Sequence, residues 1–159
     1  MKIFPSRKNL YLIILFLSLV SIFSALYIEF ILQYEPCMLC IYQRLPYIAA
    51  VLISLIGYYY DKNDYILIIL IILFILSAIL SGYHFGIENN FFEELSSCTN
   101  HTLDISNKTK LLESLNKSMP ISCKDATFKI LGISLASINT ILSILIVVIS
   151  TRTLSYEKN

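Results

Sequence analysis

Residues 10–28 read LYLIILFLSLVSIFSALYI, a run of 19 residues without a charged side chain. Because roughly 20 helical residues cross the hydrocarbon core of a bilayer, a run of this length predicts a membrane-spanning helix. Three further runs follow at residues 41–60, 65–82 and 130–150. The second run has one charge, Arg44, in its first turn, where a long side chain can reach the interface. Backbone groups in hydrocarbon must pair within the span, so the sequence predicts an all-α, four-transmembrane-helix bundle.

The composition agrees with a membrane protein. Hydrophobic residues make up 57% of the chain and charged residues only 14%, whereas a soluble domain has about a quarter charged residues. The net charge of +1 argues against a nucleic-acid partner. The length of 159 residues suits a single membrane domain over residues 1–159. The first run exceeds the roughly 7–15 apolar residues usual in a signal peptide, so we expect an uncleaved span.

Basic residues in the short flanks predict the orientation. Six of them fall on one side of the four spans: Lys2, Arg7, Lys8, Lys62, Arg152 and Lys158. The positive-inside rule places this side in the cytoplasm. We therefore expect a multi-pass protein with cytoplasmic N- and C-termini and a long external loop over residues 86–129.

All four cysteines fall on the opposite side. Cys37 and Cys40 lie between the first two spans, and Cys98 and Cys123 lie in the long loop. Disulfides form and persist in an exported compartment. A C-x-x-C pair closes too short a loop to be an effective staple, but one thiolate can attack and its neighbour can resolve the mixed disulfide. A helix start at this point and Arg44, four residues beyond Cys40, would both favour a thiolate.

Two other uses of the cysteines stay open at this stage. The four together could bind zinc, although such sites usually have two short-spaced pairs, and Cys98 and Cys123 are 25 residues apart. Cys98 and Cys123 could instead form only a structural clamp on the long loop. The alternative function is therefore a membrane metal-binding protein that uses the four cysteines.

Three stretches resemble a known family. Residues 36–44 (PCMLCIYQR), residues 82–88 (GYHFGIE) and the stretch from Cys123 to Asn139 are similar, in this order, to segments of the DsbB family of quinone-linked thiol oxidoreductases. The resemblance implies a four-helix bundle in the bacterial inner membrane, with its cysteines in the periplasm. It also implies that the protein reoxidises a soluble DsbA-like thiol oxidoreductase and so promotes disulfide bond formation in exported proteins.

The resemblance assigns a role to each cysteine. Cys98 and Cys123 form the disulfide that accepts electrons from the DsbA-like partner, and Cys37 and Cys40 take these electrons by exchange. Cys40 then passes them to a bound ubiquinone or menaquinone beside Arg44. Under this assignment the site contains no metal.

Four polar residues near the ends or middle of the spans receive weaker predictions. His84 is a candidate contact for the quinone head group, although it could simply cap the third span at the interface. Gln43 stands where many family members have an acid, which should matter little because Arg44 is present. Asn139 lies in mid-span and should need an interhelical hydrogen bond. Glu29, at the end of the first span, should be solvated.

Overall fold

The computed structural model describes residues 5–60, 63–93, 123, 129–130 and 133–158. The described helices are α1 (Arg7–Phe30), α2 (Met38–Tyr42), α3 (Arg44–Tyr59), α4 (Asp64–Glu88) and α5 (Leu135–Lys158); the strands β1 (Lys129–Ile130) and β2 (Ile133–Ser134) form an antiparallel pair. Four helical segments are long and apolar enough to cross a membrane: α1, α2 continued by α3, α4, and α5. The prediction of four transmembrane helices is confirmed.

The second span begins earlier than the sequence indicates, and it is interrupted. α2 starts at Met38 rather than at residue 41, and the regular helix breaks at Gln43. The break places Pro46 in the first turn of α3. Proline has no N–H, and the first turn of a helix leaves its N–H groups without helical partners in any case. Two consecutive helices therefore accommodate Pro46 where one continuous helix would not.

The ends of the third and fourth spans also differ from the predicted bounds. α4 continues past residue 82 to Glu88, so His84 is helical and the following loop begins at Asn89. α5 begins at Leu135 instead of residue 130, because the Ser134 hydroxyl accepts the backbone N–H of Ser137 at 3.3 Å, as a capping residue does. Most of the predicted external loop, including Cys98, lies outside the described residues.

The helices pack as two close pairs. α1 lies against α3, α4 lies against α5, and α3 joins the pairs through α4, whereas α1 and α5 barely touch. Gly57 permits the close approach of α1 and α3, since a Cβ at this position would lie 2.6 Å from Cε1 of Tyr11. The gap between α1 and α5 leaves space within the bundle.

Hydrogen bonds join α4 to α5. The hydroxyl of Thr140 donates to Ser81 Oγ at 3.0 Å, and that of Ser143 donates to Ser77 Oγ at 3.2 Å. Small polar residues of this kind let helices approach closely inside a membrane.

The apolar core is formed by a set of buried side chains concentrated in the early turns of α1 and α4: Leu10, Tyr11, Ile14, Tyr47, Ala50, Leu67, Leu70, Ile71, Phe74 and Ile146. The core therefore lies mainly away from the C-x-x-C end of the bundle.

Candidate functional site

The two cysteines of the C-x-x-C motif occupy the start of α2. Cys37 is the N-cap residue, and its Sγ accepts the backbone N–H of Cys40 at 3.3 Å. Sγ of Cys37 and Sγ of Cys40 lie 2.9 Å apart, and the thiol of Cys40 donates across this distance when Cys37 is ionised. Both cysteines are free thiols. The arrangement is that of a reduced dithiol in which Cys37 is the acceptor.

His84 brings a third polar group to Cys37. Its side chain is only 2% exposed, and its Nε2 lies 3.7 Å from Cys37 Sγ and 3.4 Å from the backbone oxygen of Cys123. The continuation of α4 beyond the predicted end of the span holds the ring there. The structure therefore places His84 inside the bundle, between the two cysteine regions.

The hydrogen bonds around Cys37 stabilise its thiolate. The thiol of Cys40 makes the largest contribution and His84 adds to it, while burial opposes them, and together they lower the pKa of Cys37 from 9.0 to about 5. A thiol with such a pKa is mostly ionised at neutral pH, and the thiolate is the nucleophile in exchange. The side chains that mainly stabilise the thiolate of Cys37 are therefore Cys40 and His84, whereas the sequence suggested Arg44.

Cys123 lies beside the C-x-x-C motif. Cys37, Leu39, Ile87 and Cys123 form one buried apolar cluster. Cys123 is disulfide-bonded; its predicted partner, Cys98, lies outside the described residues, so that pairing stays a prediction. Packing of Cys123 against Cys37 suits the transfer of a disulfide from one sulfur to another, which requires close approach.

Arg44 forms an ion pair across the bundle. Its Nη1 donates to Oε2 of Glu29 at 2.5 Å, and the two side chains are 20% and 27% exposed. The prediction that Glu29 is simply solvated is wrong, because α1 extends to Phe30 and holds the carboxylate against the start of α3. Each charge of the pair therefore has an opposite charge beside it, in a part of the bundle where most neighbouring side chains are apolar.

A cavity of about 380 Å³ lies between α1 and α5. Most of its wall is apolar, with side chains such as Leu17, Ala25 and Leu142, and Cys40 and Arg44 lie at its polar end. α1 and α5, which barely touch, contribute most of the residues that line it. An apolar cavity with a few polar groups is typical of a site for a small apolar ligand.

A chain of hydrogen bonds connects α3, α5 and α4 at the same end. The hydroxyl of Tyr47 donates to Asn139 Oδ1, and Asn139 Nδ2 donates to Gln43 Oε1 at 2.9 Å. Nε2 of Gln43 then lies 2.9 Å from His84 Nδ1. Asn139 thus makes the interhelical bond that the sequence predicts, while Gln43, expected to matter little, is buried and contacts His84 directly.

Glu88 is a further residue that sequence reasoning missed. Its Oε1 lies 3.7 Å from His84 Nε2, and its side chain is 6% exposed. Within the described part of the chain, Oε2 of Glu88 has no hydrogen-bond partner. The spacing of four residues between His84 and Glu88 is a signal that could have revealed the pair, since residues so spaced share a helix face.

Three side chains at the site are potential metal ligands. The sulfurs of Cys37 and Cys40 and a ring nitrogen of His84 lie within 4.8 Å of one another. Thiolates and imidazole are the donors that zinc prefers in proteins. This cluster differs from the four-cysteine site considered from the sequence, because it includes a histidine of α4.

Comparisons with known proteins agree on one family. The family model described as "Disulfide bond formation protein DsbB" matches residues 7–152. An uncharacterized protein of Rickettsia prowazekii (strain Madrid E) is 32% identical over 155 residues, which are 96% of this chain and 90% of that protein. A protein named "Disulfide bond formation protein B" from Psychromonas ingrahamii is 38% identical over 56 residues, which are 35% of this chain and 30% of that protein.

Proposed function

This chain belongs to the DsbB family of disulfide bond formation proteins, and from that premise we propose that it reoxidises a DsbA-like dithiol protein and passes the electrons to a membrane quinone. It is a multi-pass membrane protein that acts in disulfide bond formation. One observation supports the proposal most strongly: Cys37 packs with the disulfide-bonded Cys123, while Cys40 lines the cavity. The two cysteines of one motif thus face a protein disulfide and a ligand site.

The proposed reaction begins at the Cys98–Cys123 disulfide. A thiolate of the DsbA-like partner attacks Cys98, and Cys123 leaves as a thiolate. The second thiol of the partner then attacks its own sulfur in the mixed disulfide and releases Cys98. The partner becomes a disulfide, and Cys98 and Cys123 hold its two electrons and two protons as thiols.

The second exchange moves the disulfide between the two cysteine pairs. With Cys37 and Cys40 oxidised, the thiolate of Cys123 attacks Cys37, its neighbour in the buried cluster, and Cys40 leaves. Cys98 then attacks Cys123, which restores the Cys98–Cys123 disulfide and leaves Cys37 and Cys40 as the dithiol. The low pKa of Cys37, about 5, makes it a good leaving group in this second attack.

The residues at the cavity fit ubiquinone or menaquinone. A quinone has a flat ring with two carbonyl acceptors and an apolar tail, and the cavity offers the Arg44 donor at one end and apolar walls elsewhere. When bound, the quinone would accept two electrons and two protons from the Cys37/Cys40 dithiol. Arg44 and Cys40 would hold its head group, and His84 also lines this end of the cavity.

A coupled assay tests the proposed function. The purified protein is mixed with a reduced DsbA-like protein and a soluble quinone, and quinone absorbance and partner thiols are followed together. We expect one quinone to be reduced for each partner dithiol oxidised, and no turnover with Cys40→Ser. Partner oxidation without quinone reduction, or neither, would contradict the proposal.

We also propose that the protein lies in the bacterial inner membrane with its termini in the cytoplasm and both cysteine pairs in the periplasm. The six basic flanking residues support this orientation. A membrane-impermeant thiol reagent, added outside reduced spheroplasts, should then modify cysteines of both pairs. Modification of either pair only after the membrane is permeabilised would overturn the orientation.

Metal binding is a second candidate function, favoured by the cluster of Cys37, Cys40 and His84. The two functions differ in the state of the purified protein. Prepared without reductant, a disulfide-forming enzyme should have oxidised cysteines and little zinc, whereas a metal protein should have about one zinc per chain and unoxidised thiols. Elemental analysis together with thiol counting separates them.

A further inference from the structure

The hydrogen-bond chain that ends at His84 has a direction. Tyr47 donates its hydroxyl hydrogen to Asn139 Oδ1, and the amide nitrogen of Asn139 donates to Gln43 Oε1 at 2.9 Å. The oxygen of Gln43 is therefore used as the acceptor. Its amide nitrogen, which can only donate, is the atom that faces His84 Nδ1 at 2.9 Å.

This direction determines which nitrogen of His84 carries the proton. A neutral imidazole has one donor nitrogen and one acceptor nitrogen. Because the group facing Nδ1 is a donor, Nδ1 must be the acceptor and the proton must be on Nε2. Nε2 faces Cys37 Sγ at 3.7 Å and the backbone oxygen of Cys123 at 3.4 Å, and both atoms can accept that proton in a hydrogen bond.

We propose that Gln43 is a positioning residue that holds neutral His84 in the tautomer with its proton on Nε2, directed at Cys37 and Cys123. Asn139 and Tyr47 support Gln43 by fixing the orientation of its amide. The reverse tautomer would turn a lone pair of His84 towards the Cys37 thiolate, which would repel it. The consequence for exchange rests on the proposed function, whereas the tautomer itself does not.

The chain offers a direct spectroscopic test, because His84 is one of only 2 histidines. In a His101→Gln background, ¹⁵N-labelled histidine reports on His84 alone, and protonated and unprotonated ring nitrogens have well-separated NMR signals. In the reduced protein at neutral pH we expect a protonated Nε2 and an unprotonated Nδ1. A proton on Nδ1, or on both nitrogens, would overturn the proposal without any further variant.

Substitutions at residue 43 extend the test. Gln43→Glu preserves the shape but replaces the donor by an acceptor, so Nδ1 should become protonated. Gln43→Leu removes the donor, so both tautomers should appear. Gln33→Leu is the matched control, since Gln33 is an exposed glutamine whose amide donates only to the backbone oxygen of Phe30. An unchanged His84 spectrum in both residue-43 variants would overturn the role of Gln43.

A rate measurement tests whether the proton of His84 acts on Cys37. Loss of one hydrogen bond to a thiolate disfavours its ionisation by about five-fold, so the pH midpoint of Cys37 alkylation should move up by about 0.7 in Gln43→Leu, with Gln33→Leu at the wild-type midpoint. An unchanged midpoint would contradict the action on Cys37. Neither experiment needs a partner protein or a quinone, so a failure of the proposed oxidoreductase activity is distinguishable from a failure of this inference.

Discussion

At the residue scale, Cys37 and Cys40 have different surroundings although only two residues separate them. Cys37 accepts the backbone N–H of Cys40 and lies beside His84, and its thiolate accepts a hydrogen bond from the thiol of Cys40. Cys40 also lines the cavity. The thiolate therefore forms on Cys37, next to Cys123, and the protonated thiol remains next to the cavity.

The contribution of Cys40 leads to a prediction about the reduced protein. Cys40→Ala removes the largest of the interactions that lower the pKa of Cys37, so this pKa should rise by about one to two units. The ultraviolet absorbance of the thiolate, followed against pH, measures it. A pKa that stays at about 5 would mean that His84 and the backbone N–H of residue 40 are sufficient to lower the pKa of Cys37.

The pKa of Cys37 also links stability to pH. The folded dithiol has a lower pKa than the unfolded chain, about 5 against 9.0, so the folded state binds fewer protons between these values. This stabilisation is complete above pH 9 and is lost as the pH falls towards 5. We expect reduced wild-type protein to show a steeper loss of thermal stability over this range than reduced Cys37→Ala.

The ion pair of Arg44 and Glu29 predicts the result of a double-mutant test. Arg44→Gln should raise the apparent KM for a soluble quinone about tenfold through loss of a charged donor, with partner exchange retained. It should also destabilise the protein, because Glu29 is left unpaired. Adding Glu29→Gln should restore thermal stability without restoring the KM. A KM equal to wild type in Arg44→Gln would leave Arg44 with a structural role only.

Part of this site could be predicted from the sequence because the residues concerned are close together along the chain. The C-x-x-C spacing and Arg44 come from a single segment, so their proximity follows from chain distance. The contacts of Gln43 with His84 and of Arg44 with Glu29 join different helices, and no periodicity in one helix reveals which residues of another face it. Only the folded structure shows them.

At the element scale, the apolar runs predict the helices but not their ends. α4 continues to Glu88 because residues 83–88 contain no proline, and the first charged residue after the predicted end at residue 82 is Glu88 itself. α5 begins late because Ser134 caps it. These ends matter for the site, since the extra turns of α4 hold both His84 and Glu88.

Substitution by alanine should have different effects on stability at Gly57 and at Gly82. In Gly57→Ala the new Cβ would lie 2.6 Å from a carbon of the buried Tyr11 ring, so the variant should be destabilised by about 1–3 kcal/mol. In Gly82→Ala the new Cβ meets nothing within 4 Å, so the higher helix propensity of alanine should leave stability equal or slightly greater. Thermal unfolding in detergent compares them. Equal losses in both variants would argue against the close α1–α3 contact.

At the scale of the whole molecule, the bundle combines a close-packed half with a half that contains a cavity. The close-packed core lies mainly in the early turns of α1 and α4, and the cavity lies where α1 and α5 separate beside Cys40. The sequence predicts the number of spans but gives no sign of this gap, because helix pairing depends on which faces meet.

Filling the cavity should affect one half of the proposed reaction. Ala25→Phe places bulk in its wall, so the KM for quinone should rise several-fold while disulfide exchange with the partner is retained. Val148→Phe is the control, since Val148 is 49% exposed and the added bulk points away from the core. Equal quinone kinetics in wild type and Ala25→Phe would exclude this cavity as the quinone site.

The central claim is that electrons enter at the Cys98–Cys123 pair and leave through Cys37 and Cys40. Trapping the complex with a reduced DsbA-like protein tests this claim most directly. A partner variant that keeps only its attacking cysteine can open the Cys98–Cys123 disulfide, with Cys123 as the leaving thiolate, but has no second thiol to release Cys98. Non-reducing gels should therefore show a covalent complex, and peptide mass spectrometry should locate the bond at Cys98. A partner bound mainly to Cys37 or Cys40, with exchange continuing in the absence of the Cys98–Cys123 pair, would contradict the account.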